Sequence, residues 1–399
     1  MNINYNSKQN TKEKKGYLAL IALAISAFAI GTTEFVIVGL LPSIAENLNI
    51  SITSTGLLVS GYALGVAFGA PILTSLTSKI SRKSLLLILM IVFIIGNITA
   101  CLSQSFTLLL TARVISAFAH GVFFSIASTI ASELVPEDKK ASAIALVFTG
   151  LTVATITGVP LGTYIGQHFG WRATFFSVFI LGIIAFISTL ILVPNNLKAS
   201  SSVSLKDQVK LITNKRLILA FLITALGYGG TFVTFTFLSP ILEKITGYSE
   251  NSVTFILLLY GVAIAIGNTL GGKAANKNPL KALLWMFAIQ AIVLLVLSFT
   301  APFKIAGTIT VLVMGIFAFM NVPGLQSYVV QLANKYVPSA VDVASAINIS
   351  AFNLGIALGA FIGGIVVNTL GLLATPWIGA LLVLIAVFLT IISIKLENK

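Results

Sequence analysis

Thirty-five side chains of this 399-residue chain carry formal charge. Hydropathy leaves two of them deep inside apolar stretches, Glu34 and Arg113. An ionised side chain at the centre of a membrane-spanning helix costs roughly 2.5–3.5 kcal/mol on insertion scales, so such residues pair with one another and lie on ion or substrate paths. Glu34 sits in GTTEFVIVGLLP and Arg113 in LLLTARVISAF. Each falls about seven residues from the same end of its stretch, which places it roughly 10 Å below one surface at 1.5 Å per residue. An acid and a base at matched depth suit a proton-handling pair; a static ion pair locking two helices would also satisfy them. His120 follows Arg113 by two helical turns on the same face, and imidazole titrates near neutral pH. It can relay protons, touch substrate, or simply pack as a neutral ring. The other histidine, His168, lies in the loop sequence QHFGWR, and Cys101 is the single cysteine. These three cannot assemble a metal or hydrolytic centre. No enzyme activity and no cofactor are expected, with the proton as coupling ion.

The elements that must position this pair are membrane helices. Of the residues, 57% are hydrophobic and 9% charged, against about 25% charged in soluble domains. Apolar runs of about twenty residues cross roughly 30 Å of hydrocarbon as helix. Twelve are expected: 17–41, 53–77, 84–103, 106–132, 141–164, 173–193, 217–240, 252–272, 282–300, 305–332, 341–368 and 374–394. The net charge of +13 follows topology. With the N-terminus in the cytosol, the loops assigned to that side hold 20 of the 24 Lys and Arg residues, the other side holds Arg172, Lys244 and Lys304, and Arg113 is the last. This is the positive-inside pattern, so a lipid bilayer rather than nucleic acid is the partner. Both termini are expected in the cytosol of a bacterial-type cell membrane. The basic first sixteen residues carry no cleavage signature, so no removed signal peptide is expected.

The chain repeats itself. Shifted by 198 residues, Gly31 falls on Gly229, Thr33 on Thr231, Pro42 on Pro240, Tyr62 on Tyr260 and Gly69 on Gly267. Gly158, Gly162 and Gly166 recur as Gly355, Gly359 and Gly363. Six spans plus six in one orientation make an all-α membrane protein of two parallel-repeat bundles. The expected division is a cytosolic tail 1–16, an N-terminal bundle 17–193, a linker 194–216 and a C-terminal bundle 217–395. In the linker, Leu205, Val209 and Ile212 suit a short amphipathic helix on the membrane face, or a solvated connection.

With these motifs the sequence resembles the major facilitator superfamily. GTTEFVIVGLLP, ARVISAFAHGVFF and FTGLTVATITGVPLGTYIGQHFGWR resemble its drug:proton antiporter-1 branch, particularly the arabinose-efflux-like and chloramphenicol-efflux-like members. The resemblance implies a twelve-helix fold, a functional monomer, and proton coupling at Arg113. It also implies an antiporter motif at Gly150, Gly158, Pro160, Gly162 and Gly166, where glycines four apart allow close helix approach and Pro160 bends the helix. The second loop departs from the family pattern. Lys79, Arg82 and Lys83 keep the bases, but the acid and both glycines are replaced. Asp342, at the start of the eleventh span, is a candidate substitute that pairs with Lys79 or Arg82 when the cytosolic side closes. Ser339 and Asp342 equally suit a helix-capping box.

For substrate, Phe35, Tyr62, Tyr228, Phe232, Asn321 and Asn353 are the expected lining of a cavity between the bundles. Apolar walls with few polar anchors suit small lipophilic or amphipathic molecules. The expected activity is proton-coupled export by alternating access, with export of a sugar, purine or nucleoside as the alternative and a facilitator or importer behind it.

Overall fold

A computed structural model describes residues 2–77, 79–134, 140–195, 197, 205–275 and 278–397. Among the described residues there is no strand, and twelve helices are long and apolar enough to cross a membrane. Spans 1 to 6 are Gly16–Phe35, Ile52–Thr74, Arg82–Leu102, Phe106–Ala127, Leu146–Phe169 and Trp171–Leu192. Spans 7 to 12 are Lys215–Lys244, Glu250–Ala275, Pro279–Thr300, Lys304–Tyr336, Val343–Thr369 and Leu372–Glu397. An even number of crossings returns the chain to the face it started from. That face is called terminal below, and the other far.

The packing repeats with the sequence. Span 1 lies against spans 5 and 6, span 2 against 4, and span 3 against 4 and 6. Span 7 lies against 11 and 12, span 8 against 10, and span 9 against 10 and 12. The halves meet where span 2 packs on span 11 and span 8 on span 5. At the far face the Thr53 hydroxyl donates to Asn368 (2.7 Å) and the Thr254 hydroxyl to Gln167 (2.7 Å), each bond joining one half to the other.

The glycine stripes are where helices touch closely. A Cβ added at Gly158, Gly162 or Gly166 would meet the side chains of Thr32, Val36 and Leu40 on span 1. In the second half, a Cβ at Gly355, Gly359 or Gly363 would meet the backbone carbonyls of Ala225, Gly229 and Val233 on span 7. Both stripes therefore brace the helix that opens their half, at the four-residue spacing that keeps contacts on one face. Gly150 extends the first stripe against the backbone of Ala24 and Phe28. Pro160 offers no N–H to the preceding turn, and there the helix widens into a π turn over Ala154–Gly158. The sequence predicts a bend at this point; the π turn is the form it takes. Gly261 of span 8 packs against the backbone of Thr155 and Ile156 in that turn.

Span 1 is longer than the sequence suggests. After a one-residue break at Val36, helix Ile37–Asn47 continues it through Pro42. The linker forms a helix over Leu205–Thr213, with Val209 and Ile212 exposed and Leu211 buried beside Leu217 and Tyr328.

Candidate proton and substrate site

The extra length of span 1 changes the depth of its acid. Glu34 precedes Asn47 by thirteen residues, or roughly 20 Å of helix. Span 4 begins at Phe106, so Arg113 lies about 10 Å along it and His120 about 21 Å. By this count Glu34 stands nearer the level of His120 than the sequence suggests, while the Arg113 side chain still reaches the Glu34 carbonyl.

The contacts follow from this. The nearest described basic atom to the Glu34 carboxylate is Nδ1 of His120, 3.9 Å from Oε2. Arg113 instead donates to the backbone carbonyls of Thr33 and Glu34. These belong to the last turn of the helix that ends at Phe35, where carbonyl ends carry partial negative charge and a cation is favoured. No ion pair between the carboxylate of Glu34 and Arg113 occurs among the described residues. The guanidinium also stacks on the Tyr62 ring, 4.2 Å from its centroid, a geometry that desolvation strengthens. The Tyr62 hydroxyl lies 3.2 Å from Nδ1 of His120. Spans 1, 2 and 4 thus bring four groups together. Arg113, Tyr62 and His120 are buried, and the Glu34 side chain keeps 10% of its surface. Tyr62, expected in the substrate cavity, stands among the charged groups instead.

Around this cluster the centre is filled with rings. Phe35 meets Phe235 and Phe319, Phe235 stacks on Tyr260, and Tyr228 touches Phe232, Phe319 and Phe352. Phe35, Phe235, Tyr260 and Phe319 line a narrow apolar crevice, with Thr155 of the π turn on its wall. Phe35, Tyr228 and Phe232 thus stand together as the sequence suggests, while Phe319 and Phe352 go unsuspected there because aromatics are common in every span.

Two amide networks were also missed. Asn97 of span 3 accepts from the Thr33 hydroxyl (2.8 Å). In the second half Gln290 donates to Thr231 and accepts from Asn321 (3.0 Å). Asn321 is therefore held inside the second bundle, with its Oδ1 unpartnered. Asn353 is buried, donates to its own helix, and likewise leaves Oδ1 unpartnered. The signal for both networks was a single amide within an apolar run, together with the repeat match of Thr33 with Thr231.

The second-loop residues are dispersed. Lys83 donates to the Leu190 carbonyl at the end of span 6 (2.8 Å), within its own half. Arg82 is buried and Lys79 exposed. Asp342 lies in the first turn of helix Val341–Thr369, its side chain outside the described residues. That helix follows a 3-10 turn, Pro338–Ala340, with Ala340 at its cap; the expected capping box turns on the Asp342 side chain and lies outside the described residues. Among the described residues no cluster of potential metal ligands occurs.

The profile of the Major Facilitator Superfamily matches residues 23–341. The chain belongs to this superfamily. It is similar to the uncharacterized MFS-type transporter YtbD of Bacillus subtilis, with 62% identity over 97% of this chain and 98% of that one. It is similar also to the inner membrane transport protein YdhP of Escherichia coli K12, with 38% identity over 95% and 97%. Among solved structures, a D-xylose-proton symporter shares the fold at a TM-score of 0.76 and 16% identity, over 94% of this chain and 97% of that one. The chain is therefore a multi-pass membrane transporter rather than an enzyme.

Proposed function

We propose that this transporter exports small lipophilic or amphipathic molecules in exchange for protons, working as a monomer with its terminal face in the cytosol of a bacterial cell. The observation that carries the reading is Glu34. It is a membrane-embedded acid, nearly buried, with its helix end held by Arg113. The aromatic crevice begins at the adjacent residue, Phe35. Protonation changes the charge of the site by one unit at the edge of the apolar cavity. A carboxylate there cannot favourably coexist with an apolar ligand pressed against it unless the ligand or a proton compensates the charge. Substrate and proton then alternate as the halves rock about the midplane.

A second reading, export of a hydroxyl-bearing metabolite, is favoured by Tyr260 Oη, an unpartnered buried hydroxyl on a residue of the crevice wall, which suits a hydroxyl partner beside aromatic faces. The test uses proteoliposomes with an imposed pH gradient, ethidium and xylose serving as probes of the two readings. Uphill movement of ethidium alone supports the first and of xylose alone the second. In either case Glu34→Gln should stop uphill transport while keeping part of the binding. Gradient-driven transport by Glu34→Gln at the wild-type level would sink proton coupling at this residue, and transport indifferent to pH in the wild type would favour a facilitator.

A further inference from the structure

Nδ1 of His120 faces two oxygens, the Tyr62 hydroxyl at 3.2 Å and the Glu34 carboxylate at 3.9 Å. Arg113 occupies the opposite flank of Glu34, bound to backbone carbonyls and stacked on the Tyr62 ring. His120 lies two turns farther along span 4 than Arg113, toward the terminal face. The Phe124 ring lies 5.1 Å from the imidazole, with Phe148 of the fifth membrane crossing tilted against it beyond. The titratable or charged groups facing this site among the described residues are Glu34 from span 1, Tyr62 from span 2, Arg113 from span 4 and, on the side of Glu34, Tyr228 from span 7.

We infer that Nδ1 of His120 is the next stop of the proton after Glu34, and that Tyr62 is the positioning residue that keeps this nitrogen ready to receive it. The inference rests on the reading of Glu34 as the coupling acid. A neutral imidazole carries one ring proton. With that proton on Nε2, Nδ1 is an acceptor, and the Tyr62 hydroxyl donates to it. When Glu34 is protonated, the Tyr62 hydroxyl turns away and frees the single Nδ1 lone pair; the Glu34 O–H bond then breaks and an N–H bond forms at Nδ1, leaving a carboxylate and an imidazolium. The Tyr62 oxygen then accepts from the new N–H. The imidazolium gives its Nδ1 proton to a water entering from the terminal side, which becomes hydronium; Nε2 keeps its own proton, and the Tyr62 hydroxyl again donates to the freed Nδ1 lone pair. The gap of 3.9 Å is closed by a movement of about 1 Å or bridged by one water, the usual reach of a general base. Arg113 enforces direction, because its fixed positive charge opposes a proton leaving by the other flank.

The geometry separates Tyr62 from a purely packing tyrosine. Its ring holds Arg113 and its hydroxyl holds His120, so Tyr62→Phe keeps the first contact and removes only the second. The experiment follows the infrared carboxyl band of Glu34, identified by its loss in Glu34→Gln, after a rapid rise in pH on the full-length protein in detergent. Deprotonation should be about a hundredfold slower in His120→Gln, the scale of a lost general base, and slower by a smaller factor in Tyr62→Phe. The protein has two histidines, so nitrogen-15 spectra with His168→Asn as the assignment control read His120 directly. Tyr62→Phe should shift its Nδ1 signal away from the hydrogen-bonded acceptor position. A Glu34 band that titrates and relaxes at one rate in all three proteins, with an unmoved His120 signal, overturns the relay and leaves the coupling role of Glu34 standing. A carboxyl band that does not respond to pH in any of them overturns both.

Discussion

Tyr62 and Tyr260 occupy the same place in the two halves of the repeat and have opposite fates. Tyr62 holds Arg113 on its face and His120 at its hydroxyl. Tyr260 stacks on Phe235, lines the crevice, and leaves its hydroxyl unpartnered. The threonines beside them show what the halves share. Thr33 bonds Asn97 of span 3, and Thr231 bonds Gln290 of span 9. One scaffold thus carries two kinds of polar centre. The first half surrounds a lone acid with titratable and cationic groups; the second replaces them with neutral amides, Val311 and Ala318 standing at the repeat positions of Arg113 and His120. Neutral amides tolerate either face of the membrane opening without a change of charge. A protonatable acid makes its own half sensitive to which side supplies the proton.

The hardest strain on this comparison is to move the acid. Phe232 is the repeat counterpart of Glu34, fully buried among Tyr228 and Phe235. Phe232→Glu places a carboxyl where no cation or imidazole stands in the repeat positions, and should cost about 3 kcal/mol or more. Loss of folded protein on size exclusion, or a fall of the thermal midpoint, measures it. Glu34→Phe removes an embedded acid and should be no less stable than wild type. Equal stability of the two variants would mean that the halves are interchangeable electrostatically.

Next in size are the glycine seams. Gly359 faces the backbone of Gly229, which cannot rotate away, whereas Gly162 faces the Val36 side chain. Gly359→Ala should therefore cost about 3 kcal/mol and Gly162→Ala about 1 kcal/mol, within the range for overpacking. Thermal unfolding of both variants in one detergent reads the ordering. A larger loss in Gly162→Ala would place the tighter seam in the first half.

A smaller effect separates the amide networks. Asn97→Leu leaves the Thr33 hydroxyl without its partner, and Gln290→Leu does the same to Thr231 and Asn321. Each should cost about 1–3 kcal/mol, the penalty of an unpaired buried polar group. Their functional signatures should differ. Thr33 also gives its carbonyl to Arg113, so Asn97→Leu should move the pH dependence of transport, while Gln290→Leu should leave its midpoint in place. A shift of equal size in both would dissolve the division between a proton half and a neutral half.

Much of this division was legible in the sequence because membrane spans obey a length rule and charges inside them are few. Twelve spans, the repeat and the embedded pair follow from that alone. The partner of Glu34 was not legible, and the reason is local. The sequence ends span 1 at residue 41, yet the helix breaks at Val36 and runs on as Ile37–Asn47. The Gly39 N–H takes the Val36 carbonyl (3.0 Å), and the helix resumes beyond. The resulting error of about 10 Å in depth hid the approach of His120 to the carboxylate, while Arg113 reaches the Glu34 carbonyl as expected of a close neighbour. Asn97 and Gln290 were visible as isolated amides, but which helix an amide meets depends on bundle packing that hydropathy does not encode. The π turn at Ala154–Gly158 is likewise a response to Pro160 in a packed seam, and the same proline elsewhere would give a simple kink.

At the far face the two halves ought to behave alike, which provides the finest test. Thr53 donates to Asn368 and Thr254 to Gln167, at the mouths of the 2–11 and 5–8 seams. All four groups lie near water and can re-bond to it, so each bond is worth about 0.7 kcal/mol net. Thr53→Val and Thr254→Val should each raise the far-open population about threefold, and the double variant about tenfold. The rate at which a membrane-impermeant thiol reagent reaches a cysteine placed at Leu257, with Cys101 replaced by serine, reports that population. Additive effects mean that the seams open as one rigid motion and that the asymmetry of the halves is confined to the membrane centre. A dominant effect of one threonine would place unequal control at the mouth as well, and the division by charge would then be a division by mechanics.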